Sequence, residues 1–197
     1  MMIKTIFSGF GGQGVLLMGV SLAHSAMSKG YHVTYLPAYG AEVRGGTANC
    51  TVAVADEEIA SPVASEPDHL VAMNSPSLFT FQSKIISGGT VFLNSSIIEA
   101  RPSRSDVQIY AVPCGDMAQE MGNSRVANTI MMGAFIKKTG IVPAEIYLKS
   151  LESIMGSKKK SVAEINRRAF TAGFDFIKDD DLVKSRHPGE GRGPKLL

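Results

Sequence analysis

Seven residues near the start, Ser8-Gly9-Phe10-Gly11-Gly12-Gln13-Gly14, have the types and spacing best suited to hold an anion. Gly9, Gly11 and Gly14 stand at G-x-G-x-x-G, with Gly12 as an extra glycine. Glycines permit positive φ and close backbone approach, and a helix start points N–H groups at whatever lies beyond it. A phosphate or another anionic group is the chemistry this motif serves. The alternative is a tight turn that packs helix on strand and holds no ligand. A dinucleotide site also wants an Asp or Glu at the end of the second strand, to hold ribose hydroxyls. The second strand reads as Tyr31 to Leu36 and runs into Pro37-Ala38-Tyr39-Gly40 with no acid. That argues against NAD or FAD and leaves a different phosphate-bearing ligand open.

A second cluster follows at Pro37 to Gly46, where Glu42 and Arg44 sit among turn-forming residues. The two charges could pair with each other. Alternatively Arg44 meets an anionic ligand or a neighbouring subunit, its planar fork suiting carboxylate or phosphate, with Gly45 and Gly46 allowing close approach. Asn74 and Asn94 fall at strand ends, as turn caps or as part of the same edge. Asn128 interrupts an apolar helical pattern, so burial would require it to find a hydrogen-bond partner at an interface or a loop carbonyl. Cys50 and Cys114 form no C-x-x-C, which argues against a bound iron–sulfur cluster or structural zinc. Cys50 lies in a run of small and β-branched residues, Thr47 to Ala55, and reads as a small hydrophobe in a strand.

The elements that must position these residues follow from periodicity. Ile3 to Phe7 is apolar and reads as a buried strand. Val15 onward reads as a helix with a broad apolar face, running to Ser28 and closed by Lys29-Gly30. Together with the second strand this is a βαβ unit with parallel strands. Further strands read over His69 to Met73, Thr90 to Asn94 and Asp106 to Val112. A helix starts after Asn74, with Ser75 as candidate cap and Pro76 in its first turn. Others read over Arg125 to Lys138, Ala144 to Met155 and Val162 to Ile177, with a loop or short helix over Gly115 to Gly122. The expected fold is α/β, a three-layer α/β/α arrangement around a mostly parallel sheet with a Rossmann-like first unit.

The chain has 197 residues, 44% apolar and 19% charged, with a net charge of +2, which fits one well-packed domain and no broad polyanion-binding surface. We expect a single domain over residues 1–183 and a disordered tail over 184–197, which is polar and rich in Gly and Pro. Lys158-Lys159-Lys160 lacks the interleaved aromatics of a nucleic-acid site and reads as a solvated run. No apolar run reaches membrane-spanning length and the start carries no signal-peptide pattern, so a cytoplasmic setting is expected.

Three stretches taken together resemble a known family: Gly9-Phe10-Gly11-Gly12-Gln13-Gly14, then Tyr39-Gly40-Ala41-Glu42-Val43-Arg44-Gly45-Gly46, then Arg125-Val126-Ala127-Asn128 leading to Gly133-Ala134. The chain is similar to the gamma subunit of 2-oxoacid:ferredoxin oxidoreductases, most like the 2-oxoglutarate type, over about residues 3–177. Thr129 departs from the hydrophobic residue often found there. The resemblance implies an enzyme that decarboxylates a 2-oxoacid on thiamine diphosphate, passes the acyl group to coenzyme A and sends electrons through iron–sulfur clusters to ferredoxin. It implies that thiamine diphosphate, Mg²⁺ and the clusters reside on alpha, beta and ferredoxin-like partner subunits. This chain would then be a non-catalytic subunit with no cofactor of its own, supporting assembly and sharing a contact to coenzyme A. The residues it would place at that contact are Gly9, Gly11, Gly12, Gln13, Gly14, Glu42, Arg44, Gly45, Gly46, Asn74 and Asn128. The alternatives are an indolepyruvate or branched-chain 2-oxoacid enzyme of the same kind, or a free-standing nucleotide-binding module. Methionine-rich and small-residue faces would leave an apolar patch and self-association in the isolated chain.

Overall fold

The computed structural model describes residues 1–40, 46–63, 65–100, 102–156 and 160–178. The strands are β1 (Met2–Phe10), β2 (His32–Tyr39), β3 (Thr47–Ala55), β4 (His69–Ala72), β5 (Thr90–Asn94) and β6 (Gln108–Val112). The helices are α1 (Val15–Ser28), α2 (Ser75–Phe81), α3 (Cys114–Glu120), α4 (Ala127–Thr139), α5 (Ala144–Met155) and α6 (Lys160–Phe176). Single 3₁₀ turns follow α2 at Gln82–Lys84 and precede α4 at Ser124–Val126.

All six strands join one sheet in the order β2-β3-β1-β4-β5-β6. The pairs β1–β4, β4–β5 and β5–β6 are parallel. β3 runs antiparallel to both of its neighbours, so β1 and β2 point the same way but do not touch. The expected βαβ unit therefore exists with a strand inserted into it. The mostly parallel α/β sheet is as anticipated.

Strand alternation gives the sheet two faces. One carries Phe7, Cys50, Val52, Val54, Val71 and Phe92 and packs on α1, α4 and the other long helices. Phe135 of α4 sits at its centre, edge-on to Phe7 and Phe92 at 5.6 and 5.3 Å. The other face carries Ile6, Leu70, Ala72, Val91 and Leu93, closed by Leu78 of α2 and Ile85 beyond it. The outer layer on this face is thin, because α2 is the one described helix that packs there.

Local chemistry explains the element ends. α1 begins at Gly14, whose φ of 74° is the left-handed conformation glycine tolerates, and α4 ends at Gly140 with φ 61°. β2 runs on to Tyr39 through Pro37, further than Leu36, because an outer-edge strand can lack one ladder N–H. α2 is capped by the Asn74 side chain, which accepts from the Ser77 N–H at 2.9 Å, so Ser75 is the first helical residue rather than the cap. α4 and α6 cross with almost no side chain between them. A Cβ at Gly133 would lie 2.1 Å from the Phe170 carbonyl oxygen, and one at Gly173 would lie 1.8 Å from that of Ile130. Met18, Met73, Met131 and Met132 are buried in the core, while Met1, Met2, Met27 and Met155 are exposed. The expected tail at 184–197 and Lys158-Lys159 lie outside the described residues.

Candidate functional site

The glycine loop stands at the carboxyl end of β1, beside the carboxyl end of β4, which is where open α/β sheets bind ligands. Gln13 holds it there. Its Oε1 accepts from the Phe10 N–H at 2.7 Å and from Asn74 Nδ2 at 3.0 Å, and its Nε2 donates to the Met73 carbonyl at 3.0 Å. A Cβ at Gly9 would meet Gln13 Oε1 at 2.7 Å and Val15 Cγ1 at 2.8 Å, so the loop closes only over a glycine. Gln13 and Asn74 are thus structural members of the site. Between them they tie the loop to β4 and to the start of α2. Below them Ser8 Oγ donates to Ser77 Oγ at 2.9 Å in the buried interior.

The backbone also joins the two glycine-rich stretches. The Gly11 N–H donates to the Gly46 carbonyl at 3.0 Å, and the Gly40 N–H donates to the Thr47 carbonyl at 2.7 Å. Gly40 and Gly46 therefore both stand at the same edge as Gly11. Glu42, Arg44 and Gly45, between them in sequence, lie outside the described residues.

Asn128, at the start of α4, comes to the other side of the loop. It is 7% exposed. Its Oδ1 accepts from the Thr129 N–H at 2.9 Å, which turns its amide nitrogen toward the loop. A Cβ at Gly14 would lie 2.3 Å from that Nδ2. Nδ2 has no hydrogen-bond partner among the described residues. The loop-carbonyl partner expected from the sequence is therefore not found among the described residues, and Nδ2 is left able to donate beside the loop. Thr129, the departure from the family pattern, donates its hydroxyl to Asn166 Oδ1 of α6 at 2.9 Å.

Phe10, Gly11, Gly12, Gly14, Val15, Leu16 and Ala48 line a surface cleft of about 190 Å³ at this point. The first-turn N–H groups of α1 have no intrahelical acceptor and carry the positive end of the helix dipole. Gly12, with φ 99° and no atom within 4 Å of a Cβ placed there, leaves its side of the loop open. The arrangement can accept an anionic group against backbone N–H groups.

The remaining candidates take other parts. Asn94 is 4% exposed, and its Oδ1 accepts from the Ser96 N–H at 3.2 Å, a turn cap. Cys50 and Cys114 are buried and unpaired, and burial pushes each thiol up to about 12. Neither is a nucleophile or a ready thiolate ligand. His69, which periodicity places on a strand without marking it out, is the most perturbed group with a bearing on pH. Burial drives it down to about 4, against a smaller opposing pull from Asp68, and its ring stands edge-on to Phe135 at 5.8 Å. It belongs to the amino end of β4, away from the glycine loop.

Comparison with known proteins identifies the fold and its relatives. Residues 4–176 match the family model described as pyruvate ferredoxin/flavodoxin oxidoreductase. Ketoisovalerate oxidoreductase subunit VorA of Methanothermobacter thermautotrophicus is 36% identical over 180 residues, 90% of this chain. The chain spans only 37% of that relative's length. The 2-oxoglutarate synthase subunit KorC of Methanothermobacter marburgensis is 33% identical over 177 residues, 86% of this chain and 94% of that protein. Among solved structures, the gamma subunit of a keto/oxoacid ferredoxin oxidoreductase from Geobacter sulfurreducens matches with a TM-score of 0.75 at 27% identity, covering 92% of this chain and 99% of that one. The 2-oxoglutarate:ferredoxin oxidoreductase of Magnetococcus marinus shares the fold with a TM-score of 0.82 at 22% identity, over 90% of this chain and 32% of that one. From its glycine loop to the end of α6, the chain belongs to the pyruvate ferredoxin/flavodoxin oxidoreductase family.

Proposed function

We propose that the chain is the gamma-type subunit of a 2-oxoglutarate:ferredoxin oxidoreductase, which converts the 2-oxoacid to its acyl-coenzyme A and passes electrons to ferredoxin. The observation that carries the reading is the near end-to-end match with separate KorC subunits. Oxidative decarboxylation needs thiamine diphosphate with Mg²⁺, and single-electron transfer needs iron–sulfur clusters. The residues here do not fit either group. Among the described residues no three His, Cys, Asp or Glu side chains gather to hold a metal, and both thiols are buried singly. We assign those groups to alpha, beta and ferredoxin-like partner subunits, in the cytoplasm.

This chain's own part is binding and assembly. The Asn128 amide and the N–H groups of the Gly11 to Gly14 loop donate to phosphate oxygens of coenzyme A, with Arg44 as the cationic contact. Gln13 and Asn74 hold the loop in place for this. Residues 1–183 act as one domain in this role. A second reading, a branched-chain 2-oxoacid enzyme, is favoured by the 36% identity to the ketoisovalerate subunits.

The test is steady-state kinetics of the assembled complex with 2-oxoglutarate and 2-oxoisovalerate as substrates. Arg44→Ala and Asn128→Ala should each raise the coenzyme A KM about tenfold with little change in kcat. An unchanged KM and unchanged assembly for both variants would remove the coenzyme A role. A clear preference for 2-oxoisovalerate would move the assignment to the second reading.

A further inference from the structure

We infer that Thr129 and Asn166 are positioning residues of the glycine-loop site: they pin the start of α4 to α6 and so aim the Asn128 amide at Gly14. The inference rests on the binding role proposed above, in which that amide donates to the bound anion. The three side chains form a buried file, with Asn128 7%, Thr129 3% and Asn166 6% exposed.

Each bond in the file fixes the next. Asn166 Nδ2 donates to the Val162 carbonyl at 2.8 Å, within α6. Turned over, that amide would set its oxygen against the carbonyl oxygen, so Oδ1 faces α4. The Thr129 hydroxyl has one proton and two acceptors in range, Asn166 Oδ1 at 2.9 Å and Asn128 Oδ1 at 3.5 Å, and the shorter contact takes it. The backbone N–H of the same Thr129 donates to Asn128 Oδ1 at 2.9 Å. One residue thus links α6 to the site amide: its hydroxyl is held from α6, and its N–H orients Asn128.

The start of α4 needs such a hold. Its cap residue, Val126, makes no side-chain hydrogen bond, and first-turn N–H groups have no intrahelical acceptor. One turn after Thr129, Gly133 lies against the backbone of Phe170 and Phe174. That contact sets how closely α4 and α6 approach. Asn128 through Ile136 are all buried, but apolar packing is non-directional, whereas a hydrogen bond prescribes an angle. The Thr129–Asn166 bond therefore sets the rotation of α4 at the turn that carries Asn128. An apolar pair of similar volume would serve packing alone at little cost, so packing does not by itself call for this pair.

Two measurements test the inference. The first is the nuclear Overhauser contact between the Asn128 Nδ2 protons and Gly14 Hα in the full chain. It should be present in the unmodified chain and in Thr129→Ser, which keeps the hydroxyl, and lost in Thr129→Val and Asn166→Leu. Thermal unfolding checks that each variant is folded. The second is steady-state kinetics of the assembled complex. Thr129→Val and Asn166→Leu should each raise the coenzyme A KM about fivefold, the weight of one neutral hydrogen bond, with kcat within about twofold. In an Asn128→Ala background neither should raise it further. A contact retained in both Thr129→Val and Asn166→Leu would overturn the inference. So would a KM increase undiminished in the Asn128→Ala background, because the effect would then bypass the amide. If Asn128→Ala alone leaves the KM unchanged, the coenzyme A role fails, and the Overhauser contact still decides whether α6 aims the amide.

Discussion

Gly14 is the position where the loop's conformation and the buried amide of Asn128 can be separated by measurement. Gly12→Ala and Gly14→Ala both place a side chain at positive φ, 99° and 74°. That strain costs about 1–2 kcal/mol on its own. At Gly12 nothing lies within 4 Å of the new Cβ, so strain is the whole effect. At Gly14 the Cβ would come 2.3 Å from Asn128 Nδ2 and 2.9 Å from Cγ, so the amide must leave its place and give up the Thr129 N–H. Losing that buried bond adds about 1–3 kcal/mol. We therefore expect Gly14→Ala to destabilise by about 3 kcal/mol and Gly12→Ala by about half as much. The assay is urea unfolding, with the midpoint shifted and the slope unchanged. In the double variant Gly14→Ala/Asn128→Ala the collisions with Nδ2 and Cγ are gone, and only the tight 3.2 Å approach to the residue-128 Cβ remains. Its cost should fall short of the sum of the single costs by at least about 1 kcal/mol. Strictly additive costs, or equal costs at Gly12 and Gly14, would refute the contact between loop and amide.

Other regions give independent tests. Burial lowers His69 from 6.5 to about 4, so the native chain binds fewer protons than the unfolded chain between those values. Its contribution, about 3 kcal/mol, is fully present above pH 6.5 and is lost as pH falls toward 4. Replacing it with Phe should flatten the stability profile across that window, and an unaltered slope would contradict the shift. Gly133→Ala or Gly173→Ala should cost about 3 kcal/mol or more, because backbone carbonyls of the facing helix cannot swing away as a side chain can. Thermal unfolding reads this, and a wild-type midpoint would refute the close crossing of α4 and α6. Asn74→Ala should lose about 1–2 kcal/mol through the cap and the Gln13 bond, while Ser75→Ala should stay within about 0.5 kcal/mol.

What could be read from the chain alone was local. The strand, glycine turn and helix over Met2 to Ser28 announce themselves because periodicity and glycine spacing act over neighbouring residues. Cys50 lies buried in β3, as its run of small and β-branched residues implies. Pairing order was not legible. β3 inserts between β1 and β2 because cross-strand packing decides neighbours, and chain order holds no record of that. The Asn74 cap was hidden by Ser75, an equally good capping type one residue later, and geometry decided between them. Gln13 looked like part of a ligand loop. Its partners, Met73 and Asn74, lie 60 and 61 residues away, so its holding role is a property of the fold. The unequal covering of the two sheet faces was equally invisible, since an amphipathic helix does not say which side it will take.

The central claim is tested most directly by purifying the tagged chain from its host under anaerobic conditions and assaying coenzyme A-dependent reduction of ferredoxin by 2-oxoglutarate. The account predicts a brown complex that contains thiamine- and cluster-bearing subunits and is active only when coenzyme A is supplied. A colourless chain recovered alone, without that activity, would contradict it.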